Sequence, residues 1–470
     1  MRLLANSMNF IAASLLPGLA LAAALGLAPA AALAGSVTVQ DEVRDALAAG
    51  GELRVVIGLE AGASRSADAQ AQLDAALRSV AGLDARVQQR FKNIPIVAAV
   101  IDADLLDALE RSGQRLRIEL DAGGEGHMEE ARPLAQVSTV QLAGLTGLGQ
   151  KVVIMDSGLR LDHISFGSRI IDQACFCATV NDGSAGCCPN GLATQLGTGA
   201  AADDHGHGTN VGGIAVGAAI SGGASVPAGV ATRGDIVAVK VLTSTNSFFF
   251  TSEILRAYEW VRANHPDATV INASLGTSAR FIGDCDTGSP LREGFASSIA
   301  ALRAQGTLTT VSSGNNGISG EMQLPACSSA SLSVGAVYDA AFANIGFGSV
   351  CTATNTVPDQ MACFSNLSTT TDLTAPGALI TSAGFGSSGA TSSFQGTSMA
   401  APMVAGCIAL LQEAVPAATP AAIEQALEAS PTRVARPGYA VNYPRLDCAS
   451  ALENLLDAYP SLFANGFEAP

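Results

Sequence analysis

Four short apolar runs, at residues 152–155, 236–242, 269–272 and 308–312, alternate with longer amphipathic stretches at 253–263 and 291–304. Runs this short, without a polar residue at every second position, are strands buried on both faces, and strands alternating with helices close into a parallel sheet. The expected class is α/β, a mostly parallel sheet with helices on both faces. Such a sheet builds its site at the carboxyl ends of the strands and in the loops that follow them.

The chain before this region follows another rhythm. Leu53, Val55, Ile57 and Leu59 alternate as a half-buried strand. A helix follows, with Ser66 as its cap and Leu73, Leu77 and Val80 on one stripe. Strands at 87–91 and 94–101, joined by a turn near Asn93 and Pro95, a helix at 104–111 and a strand at 116–120 complete the order βαββαβ, a small ferredoxin-like α+β domain. Ala122 to Gly126 then reads as an exposed, cleavable linker.

Ahead of both lies Arg2 and an apolar stretch ending in Ala32-Leu33-Ala34, with small residues three and one before a cut after Ala34. Pro17, Gly18 and Pro29 interrupt it, which favours a secretory signal peptide over a membrane anchor. The expected division is a leader at 1–34, a small separable domain at 35–127, a main domain at 128–448 and a C-terminal tail at 449–470 without an assigned role.

Composition narrows the function. With 25 basic and 41 acidic residues the net charge is −16, which argues against a nucleic-acid partner. A hydrophobic content of 48% with 14% charged residues excludes wholesale disorder. Export turns the ten cysteines, all after residue 174, into a disulfide question. Zinc competes at Cys175, Cys177, Cys187 and Cys188, but the C-x2-C knuckle is absent and disulfides are favoured.

Four polar clusters fall at strand ends or helix starts. Asp156-Ser-Gly follows the first run, and alone it is as readily a turn cap. Asp203-Asp-His-Gly-His207-Gly-Thr holds two of the five histidines, and alone it is a glycine-rich helix start with solvated histidines. Ser312-Ser-Gly-Asn315-Asn-Gly is alone a turn, and Gly396-Thr-Ser398-Met-Ala-Ala-Pro402 is alone a capped helix. Together they supply a weak nucleophile, a base, an orienting carboxylate and an amide donor for an oxyanion, the parts of acyl transfer. The Gly-x-Ser-x-Gly of esterases and the Ser-x-x-Lys of penicillin-binding enzymes are both missing, because Ala400 and Ala401 occupy the positions that define them.

These motifs, with Ser274-Leu275-Gly276 between them, resemble in type and order those of the subtilisin-like serine proteases across roughly residues 147–412. The resemblance implies that Ser398 attacks a peptide carbonyl, that His207 moves the proton and that Asp156 orients the imidazole. His207 takes that role over His205 because it begins His-Gly-Thr. The Asn315 amide and the Ser398 N–H would form the oxyanion hole, and losing such an amide costs about 10²- to 10³-fold in rate, a figure that comes from subtilisin itself.

The resemblance further implies polypeptide substrates added as a strand, with Ser274, Leu275 and Gly276 lining one wall. In the facing segment Phe248, Phe249 and Phe250 read equally as a buried turn or as an apolar subsite wall. It implies a propeptide that inhibits its own enzyme, no cofactor for the chemistry, and a monomer free of membranes after leader removal. Structural calcium is common in the family, with Asp203 and Asp204 as the candidate ligands here. Arg160, soon after the catalytic Asp, and the short segment from Asn315 to Pro325 depart from the family pattern.

Overall fold

The computed structural model describes residues 37–59, 69–90, 96–120, 128–219 and 228–460. The leader, the Ser66 cap, the turn near Asn93 and Pro95, the linker at 122–126 and the chain from 461 onward lie outside the described residues.

In the first unit, strands Leu116–Leu120, Leu53–Leu59, Ile96–Ile101 and Val87–Arg90 lie side by side in that order, all antiparallel. With helices Ala69–Ser79 and Ala103–Arg111 they complete the expected βαββαβ set. The alternation has its expected cause, since Val55, Ile57, Leu73, Leu77 and Ile118 close one core. Asp102 caps the second helix, its carboxylate accepting from Leu105 N–H at 2.9 Å. A fifth strand, Thr38–Val39, pairs parallel with Leu116–Leu120 and leads into helix Asp41–Ala48. Both are additions to the expected order, and two residues are too few to show a strand period.

The second unit is built on an eight-stranded sheet. Its strands in chain order are β1 (Lys151–Asp156), β2 (Ile170–Phe176), β3 (Thr194–Leu196), β4 (Asp235–Lys240), β5 (Val270–Ala273), β6 (Leu308–Ser312), β7 (Leu332–Val337) and β8 (Leu373–Pro376). Their spatial order is β8-β7-β6-β5-β1-β4-β2-β3, parallel throughout except at the edge strand β3. Val152 and Ile154 of β1 enter one core while Val153 and Met155 enter the other. Both faces being buried is why no polar residue interrupts the run.

Helices α1 (His207–Val216) and α4 (Thr397–Ala414) pack on one face, and α2 (Thr251–Asn264) and α3 (Pro290–Gln305) on the other. Residues 397–411 of α4 are buried without a break, so its sequence is apolar all round rather than striped. The expected boundary at 448 is corrected. Cys448–Ala458 forms α5, capped by Asp447 on Ser450 N–H at 2.9 Å, and its Ala451, Leu452 and Leu455 enter the same core as α4.

All ten cysteines are paired: Cys175–Cys188, Cys177–Cys187, Cys285–Cys327, Cys351–Cys363 and Cys407–Cys448. The four-cysteine cluster is therefore two nested disulfides, and Cys175 lies in β2 rather than in the loop. Among the described residues no helix is long and apolar enough to cross a membrane.

Candidate active site

Asp156 ends β1 at the centre of the sheet. Its main-chain oxygen accepts from the N–H groups of Val241 and Leu242, just beyond β4, so pairing with that strand fixes the turn. Its carboxylate Oδ1 accepts from His207 Nδ1 and from Ser157 N–H, each at 2.7 Å. His207 is the first residue of α1, and a side chain at Gly208 would strike the Gly158 carbonyl and crowd Asp156. Glycine after the histidine is thus what lets the imidazole reach the carboxylate. Thr209 Oγ1 accepts from Arg160 N–H at 2.9 Å and donates to Asp203, so each residue of His-Gly-Thr has its own task.

The imidazole is buried, edge-on to Phe394 with ring centres 6.0 Å apart. Burial alone would push its pKa down; the adjacent Asp156 carboxylate, helped by Asp203, more than offsets that and holds it above the ordinary histidine value. His205 stands behind, its Nδ1 accepting from His207 N–H at 3.2 Å.

Asp203 and Asp204, the candidate calcium ligands, are engaged by protein donors instead. Asp203 accepts from Ser157 Oγ, His205 N–H, Gly206 N–H and both donors of Thr209. Asp204 lies 2.7 Å from Nζ of Lys240, a buried lysine that also donates to the carbonyls of Ser157 and Leu242. Among the described residues no group of three or more His, Cys, Asp or Glu could hold a metal ion.

Ser398 is the second residue of α4, 9% exposed. Pro402, four residues on, has no N–H to give the Ser398 carbonyl, and Ser274 Oγ donates to that carbonyl instead at 2.9 Å. Asn272 supports Ser274 through its Nδ2 at 3.0 Å, and Thr310 supports Asn272 at 3.1 Å. Ser274 was expected as a wall of the substrate cleft; it lines the cavity and also ties β5 to the first turn of α4.

Asn315 Oδ1 accepts from Thr397 N–H at 2.8 Å and Thr397 Oγ1 at 2.9 Å. With both donors on the oxygen, Nδ2 is left to donate elsewhere, and Asn315 lines the cavity. Gly396 is held at φ 151°, and a Cβ there would stand 3.1 Å from that nitrogen. Asn366 pins the loop from behind, accepting at Oδ1 from the N–H groups of Asn316 and Ile318.

A cavity of about 490 Å³ brings Ser398 and Asn315 together with Ser274, Leu275 and Gly276. Phe248 and Phe249 line its far side, Phe249 being 62% exposed. Phe250 does not line it; it occupies the N-cap position of α2. His207 approaches from the neighbouring helix and Asp156 from the end of β1 behind it, since α1 packs on α4 and Phe394, four residues before Ser398, contacts the imidazole. No hydrogen bond joins His207 to Ser398 among the described residues, and such bonds are often long in a ligand-free site and tighten with substrate.

The sequence reading missed Gln323. It ends a short strand, Glu321–Gln323, paired antiparallel with Arg280–Ile282. Its side-chain oxygen lies where a Cβ at Gly314 would go and 3.1 Å from where one at Gly276 would go, so the amide spans the two walls of the cavity.

A parallel α/β sheet whose carboxyl edge gathers an Asp–His pair, a helix-start serine and a cavity-lining amide holds the parts required for acyl transfer on serine. The chain belongs to the Subtilase family (Peptidase_S8), whose family profile matches residues 147–443. It is 32% identical over 282 residues to an extracellular serine proteinase of Thermus sp. (strain Rt41A), covering 60% of this chain and 55% of that protein. It therefore spans little more than half the length of that relative. Subtilisin NAT of Bacillus subtilis subsp. natto is 29% identical over 353 residues, covering 74% of this chain and 78% of the relative. A solved protease from Pseudoalteromonas arctica PAMC 21717 shares the fold, with a TM-score of 0.52 and 23% identity over 69% of this chain and 94% of that one.

Proposed function

We propose that the chain is an exported serine endopeptidase made as a zymogen. Ser398 Oγ attacks the scissile carbonyl while His207 Nε2 takes its proton, and the acyl-enzyme forms as His207 returns that proton to the leaving amine. Asp156 fixes the tautomer and stabilises the imidazolium. The tetrahedral oxyanion is met by Asn315 Nδ2 and the N–H of Ser398 at the start of α4. Water then repeats the sequence and frees the acid. The observation that carries this reading is the 2.7 Å Asp156–His207 hydrogen bond on a helix packed against the one that presents Ser398 beside a free amide.

Substrates are extended polypeptides, paired along Ser274–Gly276. No residue lining the cavity carries a charge, so the side chain before the cut is uncharged, because burying an unpaired charge there is costly. Phe248 and Phe249 favour an apolar residue further upstream. Residues 1–34 act as the leader, and the unit at 35–127 is the propeptide that occupies the cleft until it is removed. The enzyme works as a monomer outside the cell, with no cofactor in the chemistry.

Labelling the secreted protein with a fluorophosphonate tests the chemistry. Wild type is expected to take the label and Ser398→Ala to take none. A folded wild type that stays unlabelled contradicts the reading.

A further inference from the structure

Asp203 is placed as no ordinary helix cap would need to be. Its Oδ1 accepts from Ser157 Oγ at 2.9 Å and from the N–H groups of His205 and Gly206 at 3.0 Å. Its Oδ2 accepts from Thr209 N–H at 3.1 Å and from Thr209 Oγ1. Ser157 Oγ in turn accepts from Gly208 N–H at 2.9 Å. One buried carboxylate thus binds the residue after Asp156 to the residues on both sides of His207.

We propose that Asp203 is a second, positioning carboxylate of the catalytic machinery, one that sets the register of His207 against Asp156 through Ser157 and whose uncompensated charge favours the imidazolium. The proposal rests on the serine-protease reading above.

The charges around His207 support it. Asp156 faces the imidazole directly from the end of β1. From the segment before α1 come Asp203, Asp204 and His205; from β4 comes Lys240, which pairs with Asp204, and among the described residues no cation pairs with Asp203. Arg160 meets α1 only through its N–H to Thr209, while its guanidinium turns away to Asp162 and the Phe385 carbonyl. The hairpin before α4 contributes Phe394, which is neutral. Burial disfavours the charged form of Asp203, but its hydrogen bonds outweigh that and hold its pKa below the ordinary carboxylate value, so it stays ionised while His207 titrates.

Asp203→Asn removes the charge and keeps the shape. The base must be neutral to act, so activity rises as His207 loses its proton, and removing a nearby negative charge moves that rise to lower pH. The expected shift of the acid limb of kcat/KM is on the order of half a unit to one unit downward. The His207 imidazole signal, followed by NMR across the same pH range, should move with it.

Ser157→Ala cuts the link but leaves the carboxylate and its helix contacts, and should lower kcat with KM little altered. A folded Asp203→Asn whose acid limb and imidazole titration match wild type overturns the proposal. Should that variant not fold, a Ser157→Ala enzyme with wild-type kcat overturns it. Absence of peptidase activity in wild type would instead sink the protease reading, and the imidazole titration would still decide the role of Asp203.

Discussion

Gln323 shows how much a single side chain settles at this site. Its side-chain oxygen lies against both Gly276 and Gly314 in the cavity lining, a polar, uncharged floor between the two glycines. Gln323→Ala should deepen the pocket and shift preference at the residue before the cut toward large apolar side chains by about tenfold or more, as read from a peptide-library profile. An unchanged profile would show that the floor is set elsewhere. Nothing local marked Gln323 in the sequence, because the two glycines it spans are distant along the chain and meet only in the fold. Asp156, His207, Asn315 and Ser398 were legible because each sits in a short motif with its own glycine or small neighbour, and packing explains those neighbours at Gly208 and Gly396. Asp203 is legible only as half of an acidic pair, which reads as metal ligands until its donors are seen.

At the scale of elements, α4 starts with a defect that serves the site. Pro402 removes one hydrogen bond from the first turn, and Ser274 at the end of β5 restores it from outside the helix. Ser274→Ala would leave the buried carbonyl of Ser398 without that partner, at a cost of about 1–3 kcal/mol. The expected result is a fall in kcat of about tenfold with KM within about twofold, together with a lower melting temperature. A variant less stable but with wild-type kcat would reduce Ser274 to a structural role. The strands and helices read from the sequence fall within a residue or two of their places, since period and burial agree in them, but β2, β3, β7 and β8 of the large sheet were not among them. The strand Thr38–Val39 was not, being too short to have a period. Helix α5 lies beyond the motifs, and its apolar residues Ala451, Leu452 and Leu455 are its main sequence signal.

At the scale of the molecule, the disulfides divide the chain unequally. All five lie in the larger unit, joining residues 10 to 42 apart in sequence, and none lies in the first. One of them, Cys407–Cys448, fastens α5 to the helix that carries Ser398. A stapled catalytic unit beside an unstapled small α+β unit suits a chain that sheds the latter after folding. On the function proposed above, Ser398 makes this chain a protease that acts first on itself. N-terminal sequencing and intact mass of the exported protein test it most directly. Wild type should begin between about residues 123 and 134, within the glycine-rich segment or just after it, while Ser398→Ala should keep the preceding unit attached. Identical cutting of both forms, or of neither, would contradict it.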